Sequence, residues 1–250
     1  MSEAQASIEQ LLTLDEAAIR RVVKDAYVQN DCVDWTFLHA VSEFVLAINF
    51  GDPEKQAQLL RLQTVLHEFA TDGPTQGESW TMRSLIASFQ ENWEAAARSA
   101  EFAMQVYDDI EDWRSYGRAG SNCVNILNHA QQHHKADALA QTVYDKLQAK
   151  QFTEDAIADL GLFTNWGLVK LYLLEANAAA HLIDKAMSSE TKTNNPDQVA
   201  RFYGDLGCIC METEQFPQAE SYLRAAWSHW QQNPSYFAAV NAFNLARLYH

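Results

Sequence analysis

The sequence predicts an all-α protein of stacked antiparallel helix pairs, and three observations carry that expectation. First, Ala57, Ala96, Ala136, Ala179 and Ala219 recur at intervals of 39, 40, 43 and 40, each near the start of an amphipathic segment. Four residues on stand Arg61, Ala100, Ala140, Ile183 and Leu223, and seven on stand Thr64, Ala103, Val143, Ala186 and Ala226. That spacing traces one helical face. Second, twelve residues before each alanine lies Val45, Ser84, Val124, Gly167 or Gly207, where paired helices need a small residue to approach closely. Third, glycine (9) and proline (5) are scarce in 250 residues, too few for a turn-rich all-β fold. A fixed period of this size means stacked helical units, an architecture that makes binding surfaces more often than reaction chambers.

The elements follow in order. Residues 1–32 read as an N-terminal helical cap, in which Thr13 or Asp15 starts a helix carrying Ile19, Val22, Val23 and Tyr27 on one stripe. A second helix runs from about Asp34 through Phe50, and Gly51-Asp52-Pro53 closes it and opens the next. Thr71 to Glu78, with Asp72-Gly73-Pro74, reads as a loop. Beyond it the helices pair as 79–90 with 92–109, 111–131 with 134–150, 154–174 with 176–189, and 196–213 with 216–232. Asn195-Pro196 and Asn233-Pro234 are N-cap and first-turn combinations, the second opening a last helix over 235–249. That helix shows Phe237, Val240, Phe243 and Leu248, costly to leave in water. It is either a terminal cap or the first helix of a further pair. Residues 33–250 thus form a repeat domain of about five pairs and a terminal helix.

Composition narrows the function. Hydrophobic residues make up 48% and charged residues 20%, so the chain can bury a sizeable core. The net charge of −15 and pI near 4.8 would repel nucleic acid and anionic membranes, which are bound through clustered Lys and Arg. No run of 18 apolar residues offers a membrane span, and Met1-Ser2-Glu3-Ala4 lacks the basic start of a signal peptide. Cys32, Cys123, Cys208 and Cys210 have no framework spacing and read as free thiols packed in the core. A cytoplasmic, reduced setting is expected.

At Tyr203-x-x-Leu206-Gly207, followed by Phe216-x-x-Ala219-x-x-x-Leu223-x-x-Ala226, the sequence resembles a tetratricopeptide repeat. Trp80 with Trp93, Ala96, Ala100 and Ala103 supports a second copy. Phe163 with Trp166-Gly167, Ala179 and Ala186 supports a third, and Val41 to Thr64 is a weaker one. The period exceeds the family's usual 34 and is similar to that of tetratricopeptide domains in bacterial signalling regulators of the Rap/NprR-like and MalT-like groups. HEAT-type repeats share the period and are the alternative fold. The resemblance implies a right-handed superhelix whose first helices line a concave face and hold peptides there. Between 111 and 134 the register stays open. Either Tyr116-x-x-x-Gly120 matches Tyr203-x-x-x-Gly207, or Gly120 and Val124 stand at those places.

Motifs for chemistry are lacking. No His-Glu-x-x-His, phosphate-binding glycine loop or nucleophile elbow occurs. His129, His133 and His134 have metal-like spacing but straddle a turn without a carboxylate or cysteine nearby, so no metal or cofactor is assigned. The Asp108, Asp109, Glu111, Asp112 run is a helix end and the acidic first turn of the next helix. The seven tryptophans read mostly as packing between helices.

The signal for function is the polar content of the first helices. Under the implied mapping Arg118, Asn125, Asn165, Arg201, Asn241 and Asn244 face the groove as ligand-binding residues. Asparagine both donates and accepts, which suits the N–H and C=O of an extended peptide, and arginine adds a bond to a carboxylate. The expectation is a non-enzymatic protein- or peptide-binding scaffold in bacterial signalling or regulation. The alternative is the sensory N-terminal part of a larger protein with a DNA-binding or nucleotide-cyclase output domain. A protein or peptide is the expected partner, with neither nucleic acid nor membrane, and a second copy could pair through the terminal helix.

Overall fold

The computed structural model describes residues 3–47, 53–158, 161–187, 196–233 and 236–249. Helices dominate, and the chain divides into two compact units, Met1–Ile126 and Leu127–His250. The division falls within one helix, α7 (Trp113–His129).

The first unit opens with α1 (Glu3–Leu12) and α2 (Glu16–Tyr27). Asp15 caps α2 by accepting from the Ala18 N–H at 2.8 Å. A short hairpin follows that the sequence did not announce, β1 (Val28–Gln29) against β2 (Cys32–Val33), with Val28 opposite Val33. Its turn residues, Asn30 and Asp31, both hold positive φ (52° and 62°), the two-residue geometry that matches strand twist. Then come α3 (Trp35–Ala47), α4 (Pro53–Glu68), α5 (Gly73–Phe89), α6 (Trp93–Asp109) and the first part of α7. Ile8, Ile19, Val23, Leu38, Val41, Leu59, Leu62 and Leu66 form one core that ties α1 and α2 to the α3–α4 pair.

The second unit contains α8 (His133–Ala149), α9 (Glu154–Ala158), α10 (Leu162–Tyr172), α11 (Ala176–Met187), α12 (Pro196–Glu212), α13 (Phe216–Trp230) and α14 (Tyr236–Leu248). Two expectations need correcting. The stretch 71–78 is a loop only to Asp72. Asp72 accepts from Thr75 N–H at 2.9 Å and Pro74 suits the first turn, so α5 starts at Gly73. The helix expected over 154–174 is broken into α9 and α10, because Gly161 adopts φ 74°, which a continuing helix cannot accept. The expected junctions at Gly51-Asp52 and Asn195, and Pro234, lie outside the described residues.

The period has a local cause. Glu91, Glu111, Gln131 and Gln151 stand twenty residues apart, each with φ between 55° and 65°, and Leu174 and Glu214 repeat the geometry. After each, the next N–H reaches back to close the helix end: Asn92 to Ala87 O, Asp112 to Tyr107 O and Gln132 to Leu127 O, at 2.9–3.0 Å. Phe152 to Leu147 O, Glu175 to Lys170 O and Gln215 to Cys210 O do the same at 2.8–3.0 Å. This is the Schellman closure, made here without glycine. One helix and one such turn take twenty residues, and a pair takes forty.

The small residues sit at the helix crossings. Ser84 donates its hydroxyl to Ala96 O at 2.9 Å. A Cβ on Gly167 would lie 3.8 Å from Ala179 O, and one on Gly207 would lie 3.4 Å from Ala219 O and 2.6 Å from Leu223. Ala96, Ala179 and Ala219 are fully buried. Contacts such as Trp80 with Phe102 and Tyr203 with Tyr222 run in opposite senses along each pair, which makes the pairs antiparallel.

Two stability outcomes follow from this packing. Gly207→Ala and Ala219→Leu should each overpack the α12–α13 crossing and cost about 1–3 kcal/mol. A urea titration showing no loss for both would remove the crossing assignment. Leu174, 91% exposed and at φ 60°, gains nothing from its side chain. Leu174→Gly should therefore stabilise by up to about 1 kcal/mol, read as a higher urea midpoint.

Candidate functional site

Helix α7 carries an unusual surface. Its seventeen residues, Trp113 to His129, include no Asp or Glu in a chain of net charge −15. Tyr116, Ala119, Cys123 and Val124 are buried, and the Cys123 thiol points at Ala97 O of α6. Turned away from them lie Arg114, Arg118 and Asn122, all exposed, and half-buried Asn125. Steps of four, four and three keep these four on one stripe. Among the described residues no ion pair engages Arg114 or Arg118. The sequence singled out Arg118 and Asn125. It missed Arg114, although a position one turn before Arg118 on the same face was the available signal.

The other expected residues lie in the second unit, on α10, α12 and α14, the first helices of successive pairs. Asn165 is half-buried on α10, and Ile209 of α12 lies beside Gly167 of α10. Helices α12 and α14 meet along a polar seam. The Arg201 guanidinium lies 4.2 Å over the Phe237 ring, and Gly204 lies against Asn241. Asn244 donates to Cys208 Sγ at 2.9 Å, and Arg247 pairs with Glu212 at 2.8 Å. Each partner stands 35 to 37 positions further along the chain, so the two helices run parallel, as first helices of successive repeats must.

Burial separates these residues. Arg201 is exposed, whereas Asn241 and Asn244 are 2% and 6% exposed. The two asparagines turn onto α12 and do not stand open to a ligand as the sequence mapping expected. The reason is local: Gly204 leaves room for one amide, and the Cys208 sulfur accepts from the other. Neither amide atom of Asn241 has a hydrogen-bond partner among the described residues, a state that costs about 1–3 kcal/mol per group. Asp205 lies between Arg201 and Cys208 on the same stripe of α12. Removal from water pushes its carboxyl up to about 6, against the pull of Arg201. Burial, reinforced by Asp205, pushes the Cys208 thiol up to about 12.

His133 is engaged in packing, with Nδ1 2.9 Å from Asn128 Oδ1 and its ring stacked on Tyr172. Among the described residues no group of His, Cys, Asp or Glu is arranged to hold a metal ion, and no helix is long and apolar enough to cross a membrane.

With this geometry established, solved structures supply the comparison. RapI in its apo form matches 95% of this chain and 70% of its own, with TM-score 0.50 and 13% identity. The fold is that of a tetratricopeptide-like helical repeat. BtubC from P. vanneervenii matches 81% of this chain and 91% of its own at TM-score 0.48 and 12% identity. A Podospora anserina kinesin light chain protein with TPR-like repeats covers 94% and 100% at TM-score 0.41 and 13% identity. No family model and no curated protein matches the sequence. The tetratricopeptide-like arrangement is thus carried by helix geometry, with little shared sequence.

The two groups of polar residues should respond differently to mutation. Asn244→Ala should cost about 1–2 kcal/mol in a urea titration, since it removes a buried side chain and its bond to Cys208. Arg118→Ala should leave the midpoint where it is. Equal effects would contradict the burial assigned to them.

Proposed function

We propose that this protein is a non-enzymatic scaffold that holds a protein segment or peptide on the first helices of its repeats, along a concave groove, in bacterial signalling or regulation. The observation that carries the reading is the α7 stripe: two exposed arginines and two amides on a helix without one carboxylate. Such a stripe suits an extended peptide, whose backbone takes the amides of Asn122 and Asn125 and whose carboxylate takes Arg114 or Arg118. The net charge of −15 repels an acidic partner at long range, but screening limits that repulsion to about 8–10 Å at physiological salt. Attraction at α7 is therefore a short-range, selective term. In the second unit, Asn165 on α10 and Arg201 on α12 are polar first-helix residues of the same chemical kind. Placement in signalling rests on the long repeat period, which resembles that of tetratricopeptide regulators.

The test starts from the partner recovered by affinity capture and mass spectrometry, titrated against the full chain. Arg118→Ala with Asn125→Ala should weaken its binding by roughly tenfold or more, because two hydrogen bonds of about 0.5–1.5 kcal/mol are lost and 1.4 kcal/mol is a factor of ten. The urea midpoint should be unchanged. Wild-type affinity in the folded double variant would move the binding surface away from α7.

A further inference from the structure

The exposed stripe of α7 has counterparts on the two first helices before it. The crossing positions Val45, Ser84 and Val124 stand on α3, α5 and α7, and six residues before each stands His39, Glu78 or Arg118. The turns at Glu91 and Gln131, forty residues apart, fix the same register between α5 and α7. Glu78 and Arg118 are each the sixth residue of their helix, and all three positions belong to the first unit. Side-chain contacts follow this alignment. His39 Nδ1 lies 3.3 Å from Glu78 Oε1, which joins α3 to α5 at this level. Tyr107 of α6 joins α5 to the start of α7. Its hydroxyl donates to Glu78 Oε2 at 3.4 Å, and its backbone oxygen accepts from the N–H of Asp112, the residue before α7, at 2.9 Å. The ring passes over Gly77, where an added Cβ would stand 2.4 Å from it.

Charge reverses along this row. The Glu78 side chain is 14% exposed, and among the described residues no Lys or Arg pairs with it. Each of its oxygens has one distant polar neighbour and can accept a further hydrogen bond. Glu43, one turn beyond His39 on α3, is exposed and adds to the same sign. Trp35, 46% exposed, stacks on the His39 ring with centroids 4.9 Å apart. An acceptor beside an aromatic surface suits the charged head and aliphatic stem of a Lys or Arg. One repeat on, Arg118 is exposed and has no ion pair among the described residues, which suits a carboxylate.

We propose that the first helices of the first unit select a dipolar peptide, with a Lys or Arg three positions from an Asp or Glu. Its basic residue rests on Glu78 beside Trp35, and its acidic residue rests on Arg118. This specificity depends on α7 being the binding surface and states what that surface takes. The spacing comes from helix geometry. Packed helices lie about 8–10 Å apart. A polyproline II chain rises about 3.1 Å per residue with about three residues per turn, so side chains three apart share a face about 9 Å apart. An extended peptide crossing from α5 to α7 therefore presents such a pair to Glu78 and Arg118 together. Mixed charge also suits the chain as a whole. A purely acidic peptide is opposed by the net charge of −15, and a purely basic one by the arginines of α7. A dipolar peptide meets neither penalty.

A randomised decapeptide library displayed on phage and selected against the full chain supplies the probes. Enriched peptides should carry a basic residue three positions from an acidic one. Moving the two charges next to each other should weaken binding by roughly tenfold. Replacing the peptide's basic residue by Gln should cost about tenfold on the wild type and little on Glu78→Gln. Replacing its acidic residue should cost about tenfold on the wild type and little on Arg118→Gln. Changes in the peptide leave the protein's folding untouched, so the comparison on the wild type holds even where a protein variant is unstable. Enriched peptides without the pair would overturn the dipolar specificity, as would an equal cost of losing the basic residue on wild type and folded Glu78→Gln. Where such peptides still lose affinity with Arg118→Ala and Asn125→Ala, the α7 surface stands and the pairing with Glu78 falls. Peptides indifferent to every one of these variants, or no enrichment at all, would overturn both.

Discussion

The close crossing of each helix pair is the constraint on which the rest of this structure depends. A first helix and a second helix approach where Ser84 meets Ala96, Gly167 meets Ala179 and Gly207 meets Ala219, always twelve residues apart. At that distance a larger side chain has nowhere to go: a single Cβ on Gly207 would stand 2.6 Å from Leu223. The twelve-residue loop works because the turn between the helices is itself fixed. Six turns use one residue with positive φ and a backward hydrogen bond, and none of them uses glycine there. The left-handed residue costs about 1–2 kcal/mol in each, a cost that burying the crossing must outweigh. Stability and periodicity thus come from the same contacts.

Most of this was legible in the sequence, for a physical reason. At three of the five crossing positions both opposing residues are serine, glycine or alanine, so they leave a mark at a fixed period. Ala96, Ala179 and Ala219 were located correctly from spacing alone, as were the two glycines opposite them. What could not be read was set by backbone conformation. The break between α9 and α10 rests on a positive φ at Gly161, and a glycine inside an apolar stretch is equally compatible with a helix. The hairpin at Val28–Val33 was missed because its strands are two residues long, too short for any alternation to show.

The candidate site was legible in identity and less so in exposure. Spacing placed Arg118 and Asn125 on one face of α7, and the structure adds Arg114 and Asn122 to it. The same mapping put Asn241 and Asn244 on a groove, yet they lie against α12. Periodicity reports which residues share a face but says nothing of how closely the next first helix approaches that face. Where Gly204 permits a close approach, a residue that would otherwise line the surface becomes part of a helix–helix contact.

That difference separates two uses of one repeat position. On α7 the polar first-helix residues have no acidic neighbour on their helix and are turned outward, which suits recognition. On α14 the equivalent residues are enclosed, and α14 departs from the pattern at a telling place. Forty residues after Gly207 stands Arg247, whose side chain turns back to Glu212, and forty after Tyr203 stands Phe243, 64% exposed. At this repeat position α12 has Gly207, which its close crossing with α13 requires, whereas α14 has the charged Arg247. Helix α14 is held by its aromatic contact with α13, Trp230 on Phe237, and by the polar seam with α12. A helix held on one side by apolar packing and on the other by an under-satisfied polar seam has a weak side.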